Sequence, residues 1–106
     1  MAKYLIKSSY TVEGTKGLLK EGGSARKAAV AQMVQGMGGK LEVFYFAFGE
    51  TDVFTIIDVP DATSAAAISL VVNSKGGAHV SITPLITPEE IDAACKKSVA
   101  YRAPGA

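Results

Sequence analysis

Cysteine and histidine are nearly absent from this sequence of 106 residues, which contains one of each. Cys95 therefore has no partner for a disulfide within the chain, and a metal site built from several cysteines or several histidines is excluded. We expect neither a metal nor another cofactor. Such sparse use of cysteine is typical of the reducing cytoplasm, where we expect the protein to be located.

Long apolar runs and a strong charge of one sign are also lacking. No segment approaches the roughly 20 apolar residues of a membrane span, and the start of the chain lacks the apolar core of a signal peptide. The formal net charge is +1 at pH 7, which gives no reason to expect nucleic acid or an anionic membrane as a partner. The sequence thus predicts a cytoplasmic globular protein.

Two apolar runs between Lys40 and Val59 flank Gly49-Glu50-Thr51-Asp52 and predict a β-hairpin. Side chains of a strand point to opposite faces in turn, and here both faces are mostly apolar. A sheet with one side in water would show a polar face instead. The face without helices is expected to carry either the alternate residues of these strands or Phe44, Phe46, Phe48, Phe54 and Ile56.

Local signals predict the other elements. Lys3 to Tyr10 and Ala78 to Ile86 alternate as strands. Thr11 to Glu21 is expected to be a loop or a short helical turn, because two glycines weaken any helix there. Ser24 is the expected N-cap of the first long helix, and Asp61 that of the second.

The last predicted helix has the strongest start signal. Thr87-Pro88-Glu89-Glu90 combines an N-cap threonine, a proline in the first turn and a glutamate three residues after the cap. Cys95 is expected to lie buried on the apolar stripe of this helix.

This order of elements predicts an α+β fold, a ferredoxin-like βαββαβ sandwich with a four-stranded antiparallel sheet, two helices on one face and an extra C-terminal helix. Residues 1–98 are expected to form this single domain, and residues 99–106 a mobile C-terminal tail. The apolar face left bare by the helices predicts a homodimer whose two sheets stack face to face as a dimeric α/β-barrel.

The sequence resembles the GYD domain proteins in three segments: Ala2 to Lys7, Gly17 to Arg26, and Phe44 to Gly49. The similarity runs from Lys3 to about Ala94. GYD domain proteins are small bacterial proteins of unknown function in the dimeric α/β-barrel group, so the resemblance implies a fold and an assembly. The family's Gly-Tyr-Asp motif lies in the hairpin turn, where Gly49 and Asp52 match its ends and Thr51 stands at the tyrosine position.

Three sets of residues are candidate functional sites. The turn Gly22-Gly23-Ser24, with Arg26 and several lysines nearby, is either an anion site at a helix start or an ordinary turn. His79 is either a general base or an exposed histidine on an edge strand. Glu50 and Asp52 are either paired carboxylates for acid–base work or turn residues.

Three functions remain open from the sequence. The first is a homo-oligomer that binds a small ligand between sheet and helices, in a site lined by Tyr10, Tyr45 and His79 and bordered by Ser24 and Arg26. The second is a cofactor-independent enzyme of the monooxygenase or isomerase type, with His79 and Asp52 in proton transfer; fold analogy alone suggests it. The third is a purely structural assembly module.

Overall fold

The structure, a computed structural model, describes residues 2–106, so that Met1, the start of the predicted domain, lies outside the described residues. Strands and helices follow one another in the order β1 (Ala2–Tyr10), α1 (Val12–Glu21), α2 (Gly23–Gly36), β2 (Lys40–Phe46), β3 (Val53–Val59), α3 (Ala62–Ser74), β4 (Ala78–Leu85) and α4 (Pro88–Cys95). The four strands form one sheet in the order β2-β3-β1-β4, with every neighbouring pair antiparallel. The predicted α+β class and the four-stranded antiparallel sheet are confirmed.

The hydrophobic core lies between this sheet and two of the helices. Ile57 of β3 and Ile6 of β1 meet Val34 of α2 and Ile68 of α3 in one buried cluster. Residues paired across neighbouring strands share a face of the sheet. One face is therefore covered by α2 and α3, and the opposite one is called the open face below.

Helix caps were predicted correctly where the signal is local. The Asp61 carboxylate accepts the Ser64 N–H at 2.8 Å at the start of α3. Thr87 and Glu90 cap α4 reciprocally, with backbone N–H to side-chain oxygen distances of 2.9 and 3.1 Å. These hydrogen bonds hold the pKa values of Asp61 and Glu90 below their usual values, because they favour the ionised carboxylates.

Two predictions about the first helical region were wrong. Val12–Glu21 is a helix, capped by the Thr11 hydroxyl, which accepts the Gly14 N–H at 3.2 Å. One glycine, Gly22 with φ 85°, ends α1 and precedes α2, so Ser24 lies inside the first turn of α2 and does not cap it. Helix α1 approaches the Gly77 backbone so closely that only glycine fits at position 14. A Cβ there would lie 1.8 Å from the Gly77 carbonyl oxygen.

A β-bulge decides which aromatic residues face the helices. The register between β2 and β3 shifts between Leu41 and Val43. Phe44 therefore pairs with Thr55 on the helix-covered face, and Tyr45 pairs with Phe54 on the open face. Tyr45, predicted to line one site with Tyr10, therefore lies on the other face of the sheet, because the inserted residue reverses the alternation of β2 beyond it.

The open face is rich in apolar side chains. Tyr45 is 71% exposed and Phe54 38% exposed, and the strand pairing places Leu5 and Val43 on either side of Ile56. The face is not covered by a helix in the part of the chain that the structure describes.

Helix α4 leaves the body of the domain. All eight of its residues are exposed, so the prediction of a buried Cys95 was wrong. The reason is that α4 does not pack on the sheet of its own chain. Whether residues 99–106 are mobile remains a prediction. Within residues 2–106, no helix has the length and apolar character needed to cross a membrane.

Candidate functional site

A cleft of about 410 Å³ opens beside the end of β1, where α1 and α2 approach the end of α3 and the start of β4. A smaller cavity of about 50 Å³ adjoins it toward the core and shares Tyr10, Arg26 and Met33 with it. Most of the lining is apolar, and the polar side chains of the larger cleft are those of Tyr10, Glu21, Arg26 and Lys75.

Tyr10 is fixed in this cleft by the hairpin turn. Its backbone N–H donates to the Asp52 carboxylate at 2.8 Å, and the Asp52 N–H donates to the Ser8 carbonyl at 2.8 Å. Asp52 thus ties the turn to the last residues of β1, and its carboxylate is engaged by a backbone donor. The contact makes Asp52 a positioning residue for Tyr10.

Arg26 lies beside the Tyr10 hydroxyl. Burial of the phenol raises the pKa of Tyr10 above its usual 10.0, and the positive charge of Arg26 opposes the rise. The phenol is therefore neutral at physiological pH and can donate a hydrogen bond. Arg26 is half-buried, and among residues 2–106 no carboxylate lies within 4.0 Å of its guanidinium.

The raised pKa of Tyr10 predicts a high-pH transition. The folded state holds the phenolic proton more tightly than the unfolded chain does, so the stability from the neutral phenol is complete below pH 10 and is lost as the pH rises through the folded pKa. Ultraviolet titration of the tyrosines should show a late phase that disappears in Tyr10→Phe and shifts higher in Arg26→Met. A late phase that persists in Tyr10→Phe would refute the assignment.

The structure brings together two of the five predicted ligand-binding residues. Tyr10 and Arg26 line the cleft, whereas Ser24 is exposed in the first turn of α2 and does not line it. Tyr45 and His79 lie on the open face, where His79 pairs with Ser9. They do not line the cleft with Tyr10, because a strand sends neighbouring residues to opposite faces.

The proton-transfer candidates do not form a pair. No hydrogen bond joins His79 to a carboxylate in the part of the chain that the structure describes, and the Asp52 carboxylate accepts the Tyr10 N–H. Glu50 contributes its backbone carbonyl, which accepts the Ser9 hydroxyl at 2.7 Å.

An ionic cluster on the open face was missed by sequence reasoning. The Lys3 ammonium binds the Glu42 carboxylate and lies 3.3 Å from the Asp58 Oδ2. The Glu42 hydrogen bond is the main cause of the raised pKa of Lys3. The second Asp58 oxygen is buried without a hydrogen-bond partner among the described residues. Glu42 lies at the β-bulge and contacts Lys3 from there. No local pattern in the sequence predicts this bulge.

Comparison with protein families matches residues 4–95 to the GYD domain model. The chain belongs to the GYD domain family. The match spans the sheet of this GYD domain and ends at the last residue of α4, and it confirms the resemblance seen in the sequence. In this GYD domain, the hairpin turn supplies Asp52, the residue that fixes Tyr10. No curated protein and no solved structure matches the chain.

Proposed function

We propose that this GYD domain is a homodimer that binds a small anionic molecule in the cleft at Tyr10 and Arg26. The observation that carries the proposal is the half-buried guanidinium of Arg26, which has no carboxylate partner within residues 2–106 and lies beside a neutral phenol. Arg26 is half-buried, and a partly desolvated guanidinium is stabilised by a partner of opposite charge, so an anionic ligand at this position would pair with it. The cleft volume falls within the range typical of small-molecule sites.

The chemistry of the lining defines the ligand class. A guanidinium donates two parallel hydrogen bonds to a carboxylate, and the Tyr10 hydroxyl supplies a third donor from the adjoining strand. Leu18, Met33 and Val72 offer an apolar surface to the remainder of the ligand. The ligand is thus a small molecule with one carboxylate, or a comparable oxyanion, on an apolar body.

The assembly proposed for this domain is the ferredoxin-like dimeric α/β-barrel. The strand order β2-β3-β1-β4 and two helices on one face support that classification. The exposed apolar residues of the open face support the pairing of two sheets, because a large apolar patch is unfavourable in water. The cleft lies on the helix side of the sheet, so pairing through the open face leaves it accessible.

A comparison of carboxylates with their neutral amides tests the ligand class. By isothermal titration calorimetry with a panel of small aromatic and aliphatic carboxylates, we expect binders whose amides bind about tenfold to a hundredfold more weakly, the effect of losing a charge-assisted hydrogen bond. Arg26→Met keeps the apolar stem of the side chain and should abolish the preference.

Lys27→Met provides the matched control, since it removes the same charge from the next, exposed residue of α2. It should leave affinity within about twofold of the unaltered protein, because surface charges are screened. Equal affinity for acids and amides, or an Arg26→Met variant that still prefers acids, would contradict the proposed site.

A further inference from the structure

The chain beyond β4 is exposed at every position from 86 to 101. Residues 86–101, called the C-terminal arm below, include α4 and expose apolar side chains at four positions: Ile86, Ile91, Val99 and Tyr101. The domain measures 56 × 33 × 22 Å, with a radius of gyration of 16.9 Å. A compact chain of this length has a radius of about 13 Å, so part of the structure projects from the body.

An isolated helix of eight residues does not persist in water without tertiary support. Helices shorter than about 12 residues are marginal alone, and most helical stability in proteins comes from packing of an apolar face. Helix α4 nevertheless has a complete capping box at Thr87 and Glu90. Its apolar side is formed by Ile91 and Cys95, which lie one turn apart on the same face. A fully capped helix with an exposed apolar side favours packing against a surface outside its own chain.

The open face of a second copy has the chemistry to receive the arm. Helix α4 carries three acidic residues and no basic one: Glu89, Glu90 and Asp92. On the open face, Lys40 of the edge strand β2 has no ion-pair partner in the described part of the chain, whereas Lys3 is already engaged. The arm also begins directly after β4, the edge strand of the sheet, and so continues from the proposed interface.

We propose that the C-terminal arm of each copy docks at the edge of the open face of the other copy, beside the edge strand β2, with Ile91 and Cys95 facing inward and the acidic residues of α4 near Lys40. This inference rests on the proposed homodimer. A two-fold axis makes the exchange reciprocal, so both arms are covered while the central parts of the two open faces pack on each other.

Ile91→Asp in the full chain tests the arm, with Ala93→Asp as the matched control on the opposite side of the same helix. Ile91 is 45% exposed in the single chain, so the substitution leaves the domain fold intact. Sedimentation velocity over a concentration series should show the dimer dissociation constant raised by about tenfold or more for Ile91→Asp and by less than about twofold for Ala93→Asp.

The thiol of Cys95 provides a second readout. In the dimer it should react with a maleimide about tenfold or more slowly than in Ile91→Asp at the same concentration, and dilution to the monomer should restore the fast reaction. The protein could be a dimer in which Ile91→Asp and Ala93→Asp have the same dissociation constant and Cys95 reacts fast. That result would refute the docking of the arm but leave the homodimer supported. If the unaltered protein is a monomer at every concentration, the proposed homodimer is refuted. A Cys95 protected in the monomer would place the arm on its own chain and overturn the exchange.

Discussion

Ile56→Asp is expected to convert the proposed homodimer to a monomer at micromolar concentrations. Ile56 lies on the open face between Leu5 of β1 and Val43 of β2, where the second sheet is proposed to pack. Burial of one isoleucine stabilises an interface by about 1.5 to 3 kcal/mol. Because a two-fold interface contains the residue twice, the dissociation constant should rise by about a hundredfold or more. Size-exclusion chromatography with light scattering measures the mass.

Leu70→Asp is the control for this substitution. Leu70 lies on α3, is 73% exposed and belongs to the helix side of the domain, so the same added charge should leave the dimer intact. Circular dichroism should show that both variants are folded. A folded Ile56→Asp variant that keeps the mass and the dissociation constant of the unaltered protein would exclude the open face as the interface.

Gly14→Ala and Gly17→Ala are expected to change stability in opposite directions, although both add one methyl group to the same helix. A Cβ at Gly14 would lie 1.8 Å from the Gly77 carbonyl oxygen, and nothing lies within 4 Å of a Cβ at Gly17. Gly14→Ala should therefore lower the free energy of unfolding by about 1 to 3 kcal/mol through overpacking against backbone. Gly17→Ala should raise it by up to about 1 kcal/mol, the gain in helix propensity.

Urea denaturation of the two variants measures this difference. Gly14 also lines the cleft, and the Thr11 hydroxyl next to it donates to the Gly76 carbonyl at 2.7 Å. Separation of α1 from the turn before β4 should thus weaken carboxylate binding in Gly14→Ala as well. Equal stability of the two alanine variants would show that the contact between Gly14 and Gly77 is not needed.

Features encoded by neighbouring residues were predictable from the sequence. The capping box at Thr87 and the N-cap at Asp61 depend on residues three positions apart, and the alternation in β1 and β3 depends on a period of two. The sheet and the apolar character of both its faces follow from these local patterns. The pairing of Tyr10 with Arg26 was anticipated in part, since both residues were candidates for the same site.

Features that depend on distant residues were not predictable in the same way. The bulge at Leu41 to Val43 is a property of how β2 pairs with β3, and it moved Tyr45 to the open face. Glycine has a low helix propensity, so Gly14 argues locally against a helix. The residue that requires a glycine there is Gly77, which lies 63 positions further along the chain. The position of Cys95 depends on what α4 packs against, and α4 does not pack on the sheet of its own chain. The role of Asp52 toward Tyr10 likewise required the hairpin turn to lie against the end of β1.

We propose that a sheet with apolar residues on both faces is completed by a second copy of the chain. Sedimentation velocity of the unaltered protein, from sub-micromolar to tens of micromolar concentrations, measures this most directly. We expect a species with the mass of two chains that persists on dilution into the micromolar range. A folded protein that sediments with the mass of one chain at every concentration would contradict it.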